Sequence, residues 1–198
     1  RSSDLKMVSS VYHAIGASRQ IFIQAPTGVG KTMSTIFPAV RAVGEGKGET
    51  IFYLTAKTIT RTVAQEAFEV LREKGMKYKV VTITAKEKLC FMDETKCDPV
   101  HCPYARGHFD RVNDAVYELW TTKSRYDRET IREQAEKWQV CPFEMCLDLS
   151  VWVDAVICDY NYVFDPTVHL KRFFGEGAGG DYIFLIDEAH NLAERGRE

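Results

Sequence analysis

Leu5, Val8, Tyr12 and Ile15 recur at three- and four-residue spacing, which predicts an amphipathic helix over 4–16 closed by Gly16. Ile21-Phe22-Ile23 then reads as a short buried strand. A helix fits Lys31 to Val43, with Pro38 expected to kink or shorten it, and Gly44 to Gly48 breaks the pattern. Ile51-Phe52-Tyr53-Leu54 predicts a second strand, and Val63, Ala67, Val70 and Leu71 a helix ending at Gly75. Val80 to Ile83 predicts a third strand. Short apolar runs alternating with helical periods argue for an α/β fold, a parallel sheet flanked by helices. Ligands of such sheets bind beyond the carboxyl ends of the strands.

From Lys86 to Leu149 the alternation gives way to cysteines, prolines and two helical patterns. Tyr104 to Trp120 predicts one helix, with Phe109, Val112, Val116 and Leu119 or Trp120 on a face; Asp127 is placed to cap a second, through Ile131, Ala135 and Trp138. Strand character returns at Ala155-Val156-Ile157-Cys158. It returns again at Tyr182 to Ile186, the most hydrophobic strand, which ends in Asp187-Glu188-Ala189-His190. The expected organisation is a sheet domain in two parts, 1–85 and 150–198, carrying an insertion at 86–149. The chain reads as a fragment of a longer protein.

Composition narrows the class only a little. The 198 residues are 45% hydrophobic and 27% charged, ordinary for a globular domain. No apolar run approaches the roughly 20 residues of a membrane span and no signal peptide is visible. With a formal net charge of −2, any nucleic-acid contact must come from local patches. Five of the six cysteines fall between 90 and 146, and beside a nucleotide loop such a cluster suggests metal rather than a disulfide framework.

Three sets of residues carry candidate chemistry. Ala25-Pro26-Thr27-Gly28-Val29-Gly30-Lys31-Thr32 has the spacing of a phosphate-binding loop, with Ala25 where the commonest form has Gly. Backbone N–H groups of such a loop cradle phosphate oxygens at the positive end of the following helix. Lys31 then reaches the β- and γ-phosphates of ATP, and the Thr32 hydroxyl reaches Mg²⁺. Asp187 at a strand end suits the hydrated Mg²⁺, Glu188 the attacking water, and His190 the edge of that site. Cys90, Cys97, Cys102 and Cys141 form C-x6-C-x4-C-x38-C, which suits a tetrahedral zinc or a 4Fe–4S cluster, and spacing alone does not choose. Cys146 and Cys158 read as packing residues.

Together these residues resemble a family, the iron–sulfur DNA helicases of the XPD and DinG kind. The marks are APTGVGKT, YLTAKT, cysteines in KEKLC, KC, HCPYARGHFDR and VCPFE, then VICDYNYVFDP and LIDEAHNL, in that order through nearly the whole chain. The resemblance implies a RecA-like first motor domain with an iron–sulfur insertion, and ATP-driven 5′-to-3′ translocation on single-stranded or forked DNA in repair or replication. It makes Lys31, Asp187 and Glu188 catalytic and assigns the four cysteines to a 4Fe–4S cluster. Thr55, Lys57 and Thr58 resemble the segment that touches the DNA backbone. Tyr104, Arg106, Arg111 and Lys123 are weaker candidates for stacking and phosphate contacts. The implied protein is cytoplasmic, bacterial-type, nucleoid-associated and monomeric. Where the family often shows Arg-x-x-Gln before the first helix, this chain has Arg1-Ser2-Ser3-Asp4, and an acidic side chain cannot donate to an adenine ring nitrogen. The resemblance also implies an arch and a second motor domain outside this chain, without which these residues alone should hydrolyse ATP poorly. Competing readings are a P-loop ATPase with a structural zinc module that binds RNA or a protein, and a metal-stabilised nucleic-acid-binding module without turnover.

Overall fold

The computed structural model describes residues 2–25 and 30–195; Pro26, Thr27, Gly28 and Val29 of the phosphate loop lie outside the described residues. In chain order the elements are α1 (Ser2–Gly16), α2 (Lys31–Gly44), β1 (Thr50–Leu54), α3 (Thr58–Glu73), β2 (Val80–Thr82), α4 (Lys86–Leu89), α5 (His108–Thr122) and β3 (Arg125–Tyr126). They continue with α6 (Arg128–Trp138), α7 (Pro142–Ser150), β4 (Ala155–Cys158), α8 (Asn161–Phe164), α9 (Lys171–Phe174), β5 (Tyr182–Ile186) and α10 (Asn191–Arg195). The sheet is parallel, five-stranded and flanked by helices, in the order β3-β2-β4-β1-β5. By internal contacts the chain divides into two units, 1–78 with 157–198, and 79–156.

In the first unit β1 is buried along Ile51–Leu54, as the apolar run requires of a strand covered on both faces. It pairs in parallel with β5, Thr50 opposite Tyr182 and Leu54 opposite Ile186. Phe52 sits in an aromatic cluster with Phe173, Phe174, Tyr182 and Phe184, at centroid distances of 5.0–5.4 Å. Helices α1 and α2 pack on each other, and α2 also packs on α3, β1 and β5. Helix α2 runs unbroken through the buried Pro38 to Gly44, so the expected shortening does not occur. Helix α1 already includes Ser2–Asp4, so the segment expected ahead of it is its first turn.

The strand expected at Ile21-Phe22-Ile23 is absent: these residues are irregular and exposed, Phe22 at 87%. The equally short β2 forms because β3 pairs with it, whereas no described strand pairs with this run, and the turn before it holds Ser18 at φ 51°. Phe184 of β5 is also exposed, because β5 lies at the edge of the sheet.

The second unit packs α5, α6 and α7 against one another, with α7 against α4 and β2. Its core includes Val112, Leu119, Ile131, Ala135, Met145 and the fully buried Tyr126 of β3, a two-residue strand with no periodic signal. Helix α5 begins at His108 rather than Tyr104. Gly107 before it is left-handed, and Asp98 accepts from the Val100 and His101 N–H groups, holding the preceding stretch in turns. The buried positions 108, 112, 115, 116 and 119 then define the inner face. Phe109 falls one residue off it and is 85% exposed, contrary to expectation. Asp127 caps α6 as its position suggests, accepting from the Thr130 N–H at 3.0 Å.

Candidate functional site

Because β1 and β5 pair in register to their last residues, the chain leaves both strands at the same level, and the Asp187 N–H donates to the Leu54 carbonyl at 3.0 Å. Asp187 is half-buried, and its Oδ2 is buried with no hydrogen-bond partner among the described residues. Burial, and then the neighbouring Glu188 charge, push its carboxyl above the ordinary carboxylate value; the ammonium groups of Lys31 and Lys57 act in the opposite sense. Lys31 opens α2, with Nζ 3.5 Å from the Ala25 carbonyl oxygen. The Thr32 side chain hydrogen-bonds the phenol of Tyr53, which burial pushes up to about 12. His190 Nδ1 lies 3.5 Å from Glu188 at the exposed edge. Lys31, Thr32, Asp187 and Glu188 thus meet at the carboxyl ends of parallel strands. A buried carboxylate oxygen without a donor is a place for Mg²⁺ or a water it holds.

Tyr53 and Tyr160 complete this end of the sheet and escaped the sequence reading. The Tyr160 hydroxyl donates to the Asp187 carbonyl and lies 3.2 Å from that of Glu188. Their signal was a polar tip inside or just after an apolar strand, which periodicity counts as core.

The DNA contact expected of Thr55 does not fit its position. Thr55 is 1% exposed, its N–H donates to the Cys158 carbonyl at 3.0 Å, and its hydroxyl accepts from the Lys57 N–H at 3.4 Å. Lys57 and Thr58 are exposed where α3 begins. In the second unit, Arg111 donates to the carbonyls of Trp138, Gln139 and Arg106, and Arg106 to those of Pro99 and Val100. Tyr104 packs on Phe91, and Lys123 pairs with Glu133 at 3.7 Å. The arginines are backbone ties first.

Cys90, Cys97, Cys102 and Cys141, far apart in sequence, all line one pocket that is partly open to solvent. Cys90 follows α4 and Cys141 caps α7, where burial raises its thiol. The cavity is supported by residues that no motif flagged. His108 Nδ1 accepts from the Cys141 N–H at 3.2 Å, and Arg132 donates to the Leu89 and Cys90 carbonyls at 2.6 and 3.2 Å while lying over the Phe91 ring. Lys86 hydrogen-bonds Cys97, the main cause of its raised pKa. None of the six cysteines is paired in a disulfide. Burial pushes Cys146 up to about 12 and Cys158 upward as well, so both are neutral core residues. Among the described residues, no three His, Cys, Asp or Glu side chains gather so as to hold a single metal ion. Four thiols lining one pocket are donors of the kind that a tetrahedral metal or a metal cluster takes. No described helix is long and apolar enough to cross a membrane.

A parallel sheet with a Lys-Thr helix start on one side and an acidic pair at the end of β5 defines the class, an α/β nucleotide-binding domain. The chain belongs to the DEAD/DEAH helicases: the DEAD_2 family model matches residues 71–198, and that of the DEAD/DEAH box helicases matches residues 6–104. It is 31% identical over 98 residues to the Fanconi anemia group J protein homolog of Gallus gallus, covering 49% of this chain and 8% of that one. It is 22% identical over 195 residues to a probable ATP-dependent helicase of Methanocaldococcus jannaschii, covering 97% and 28%. The chain therefore spans under a third of these relatives. Its fold is similar to that of a solved XPD helicase (TM-score 0.67, 18% identity, 98% of this chain and 33% of that one). A truncated XPD superposes with TM-score 0.63 at 18% identity, over 97% and 54%.

Proposed function

We propose that this chain is the first motor domain of an ATP-dependent DNA helicase that hydrolyses Mg-ATP to move 5′-to-3′ along single-stranded DNA. The observation that carries the reading is the Asp187 carboxylate oxygen, buried without a hydrogen-bond partner among the described residues and within electrostatic reach of Lys31 and Glu188. Lys31 would hold the β- and γ-phosphates, and the Thr32 hydroxyl would help to hold Mg²⁺. Asp187 holds the metal's water shell. Glu188 orients the attacking water and takes its proton. Mg²⁺, when bound, draws charge from the phosphate oxygens as it develops. Ala25, Gly30, Lys31 and Thr32 belong to the cradle.

The four cysteines would hold a 4Fe–4S cluster, supported by the single cavity that they share. When bound, it joins four distant points of residues 79–156 into one cross-link. Lys57 and Thr58 are the DNA-backbone contacts retained, and Thr55 only shapes their turn. Polarity, the DNA partner, a repair or replication role and a monomeric, nucleoid-associated state rest on the family resemblance.

The test uses the full-length protein with duplexes bearing 5′ or 3′ single-stranded overhangs. DNA-stimulated ATP turnover and unwinding from the 5′ overhang are expected, both lost in Lys31→Ala. Unwinding only from the 3′ overhang refutes the polarity, and a colourless, anaerobically purified protein holding zinc refutes the cluster.

A further inference from the structure

We propose that Tyr160 is a positioning residue for ATP hydrolysis: its buried phenol fixes the turn that carries Asp187 and Glu188 out of β5, without touching nucleotide. The inference rests on the hydrolytic reading of that site. Strand β5 ends at Ile186, and two residues later Glu188 takes the left-handed conformation, φ 51°, which a residue with a side chain adopts only when its surroundings hold it there. Tyr160 is 1% exposed, and its single hydroxyl proton is shared by the Asp187 and Glu188 carbonyls, the two peptide units on either side of that conformation. Both carboxylates hang from this turn. Its geometry decides whether one meets the metal while the other meets the water.

The segment that carries Tyr160 is itself held from the far side. The Cys158 carbonyl accepts from the Thr55 N–H at 3.0 Å, and Asp159 accepts from the Asn161 N–H at 3.0 Å while facing Arg61 of α3 at 3.8 Å. The segment that fixes Tyr160 is therefore tied to the end of β1 and to the helix that begins at the exposed Lys57 and Thr58. A strand of DNA pressing on those residues would be felt at the Glu188 turn through one hydroxyl. Tyr160 thus belongs to the DNA-stimulated part of the rate.

The experiment compares wild type with Tyr160→Phe in the full-length protein, at saturating ATP with and without single-stranded DNA. Loss of one hydrogen bond from the reacting geometry is expected to lower the DNA-stimulated kcat about tenfold. Affinity for a non-hydrolysable ATP analogue should stay within about twofold, because no phosphate contact is lost. 3-Fluorotyrosine at position 160, which keeps the hydroxyl, should restore kcat. In single-turnover measurements the double variant Tyr160→Phe/Glu188→Gln should be no more than about twofold slower than Glu188→Gln alone, since one acts through the other. Unchanged kcat in Tyr160→Phe beside normal wild-type turnover overturns the role of Tyr160 alone. A tenfold further loss in the double variant, or a matching loss of analogue affinity, overturns it as well. A wild type without ATP turnover overturns the parent reading and this one together.

Discussion

The strand-end site and the cysteine cavity are built in opposite ways. At the end of the sheet, backbone register does the placing: β1 and β5 stop level with each other, and Asp187 follows whatever its side chain is. Around the cavity, the thiols sit on a short helix end, on turns and at a helix start, and side chains hold the backbone there. Arg132 and Arg128 bind the carbonyls of 88–90, His108 binds the Cys141 N–H, and Arg111 closes the turn after α6. A site placed by register should lose chemistry without losing structure when a side chain is changed. A site placed by side chains should lose both together.

The sharpest test of that contrast is Glu188→Gln in the full-length protein. It should lower ATP turnover by about 10²–10⁴-fold, the range for a removed general base, with the melting temperature and ATP-analogue affinity preserved. Turnover that survives would remove Glu188 from its role. Next comes Cys102→Ser, a buried cavity residue. If the proposed cluster is held there, the variant should lose iron and speed amide exchange throughout 79–156, while protection in β1 and β5 persists. Equal loss of protection in both units would erase the contrast.

The same contrast decides what the sequence could reveal. Strands β1, β4 and β5, the helix from Lys31 and the acidic pair were legible because apolar runs and short motifs are local and their placement follows from the backbone. Helix α6 was legible to the residue because Asp127 carries its own capping chemistry. Phe109 was misplaced because α5 starts only after Gly107 and the Asp98 turns, and in that first turn His108 takes the buried position, while Val112, Val116 and Leu119 lie on the expected face. Ile21-Phe22-Ile23 was misread because an apolar run states a preference for burial without supplying the partner strand. Thr55 was assigned a contact from its motif, whereas the register of β1 turns it inward. The cavity's supports were invisible: nothing in the spacing of Arg132 or His108 says that they reach backbone groups 42 and 33 residues away.

A smaller effect separates tie from ligand. Arg111→Met keeps the stem but removes donors to three carbonyls, at Trp138, Gln139 and Arg106. Carbonyls left without partners should lower the stability of the 79–156 unit by about 2 kcal/mol, read by denaturant unfolding. Stability within about 0.5 kcal/mol of wild type would show that water replaces the guanidinium there.

The smallest effect depends on pH. Glu118 on α5 receives hydrogen bonds from Lys137, Trp138 and Gln134 of α6, at 2.6, 2.6 and 2.8 Å. These bonds, that of Lys137 foremost, hold its carboxyl down at about 2 against an ordinary value of 4.5. A carboxyl depressed by folding contributes stability that is complete above the unfolded value and is lost as pH falls toward the folded one, here from about 4.5 to about 2. Wild type should therefore lose α5–α6 protection across that window, and Glu118→Gln should start lower at neutral pH and change less on acidification. The group is solvent-facing, so the difference should shrink further in high salt. An acid profile in Glu118→Gln as steep as that of wild type would assign the acid sensitivity to other carboxylates.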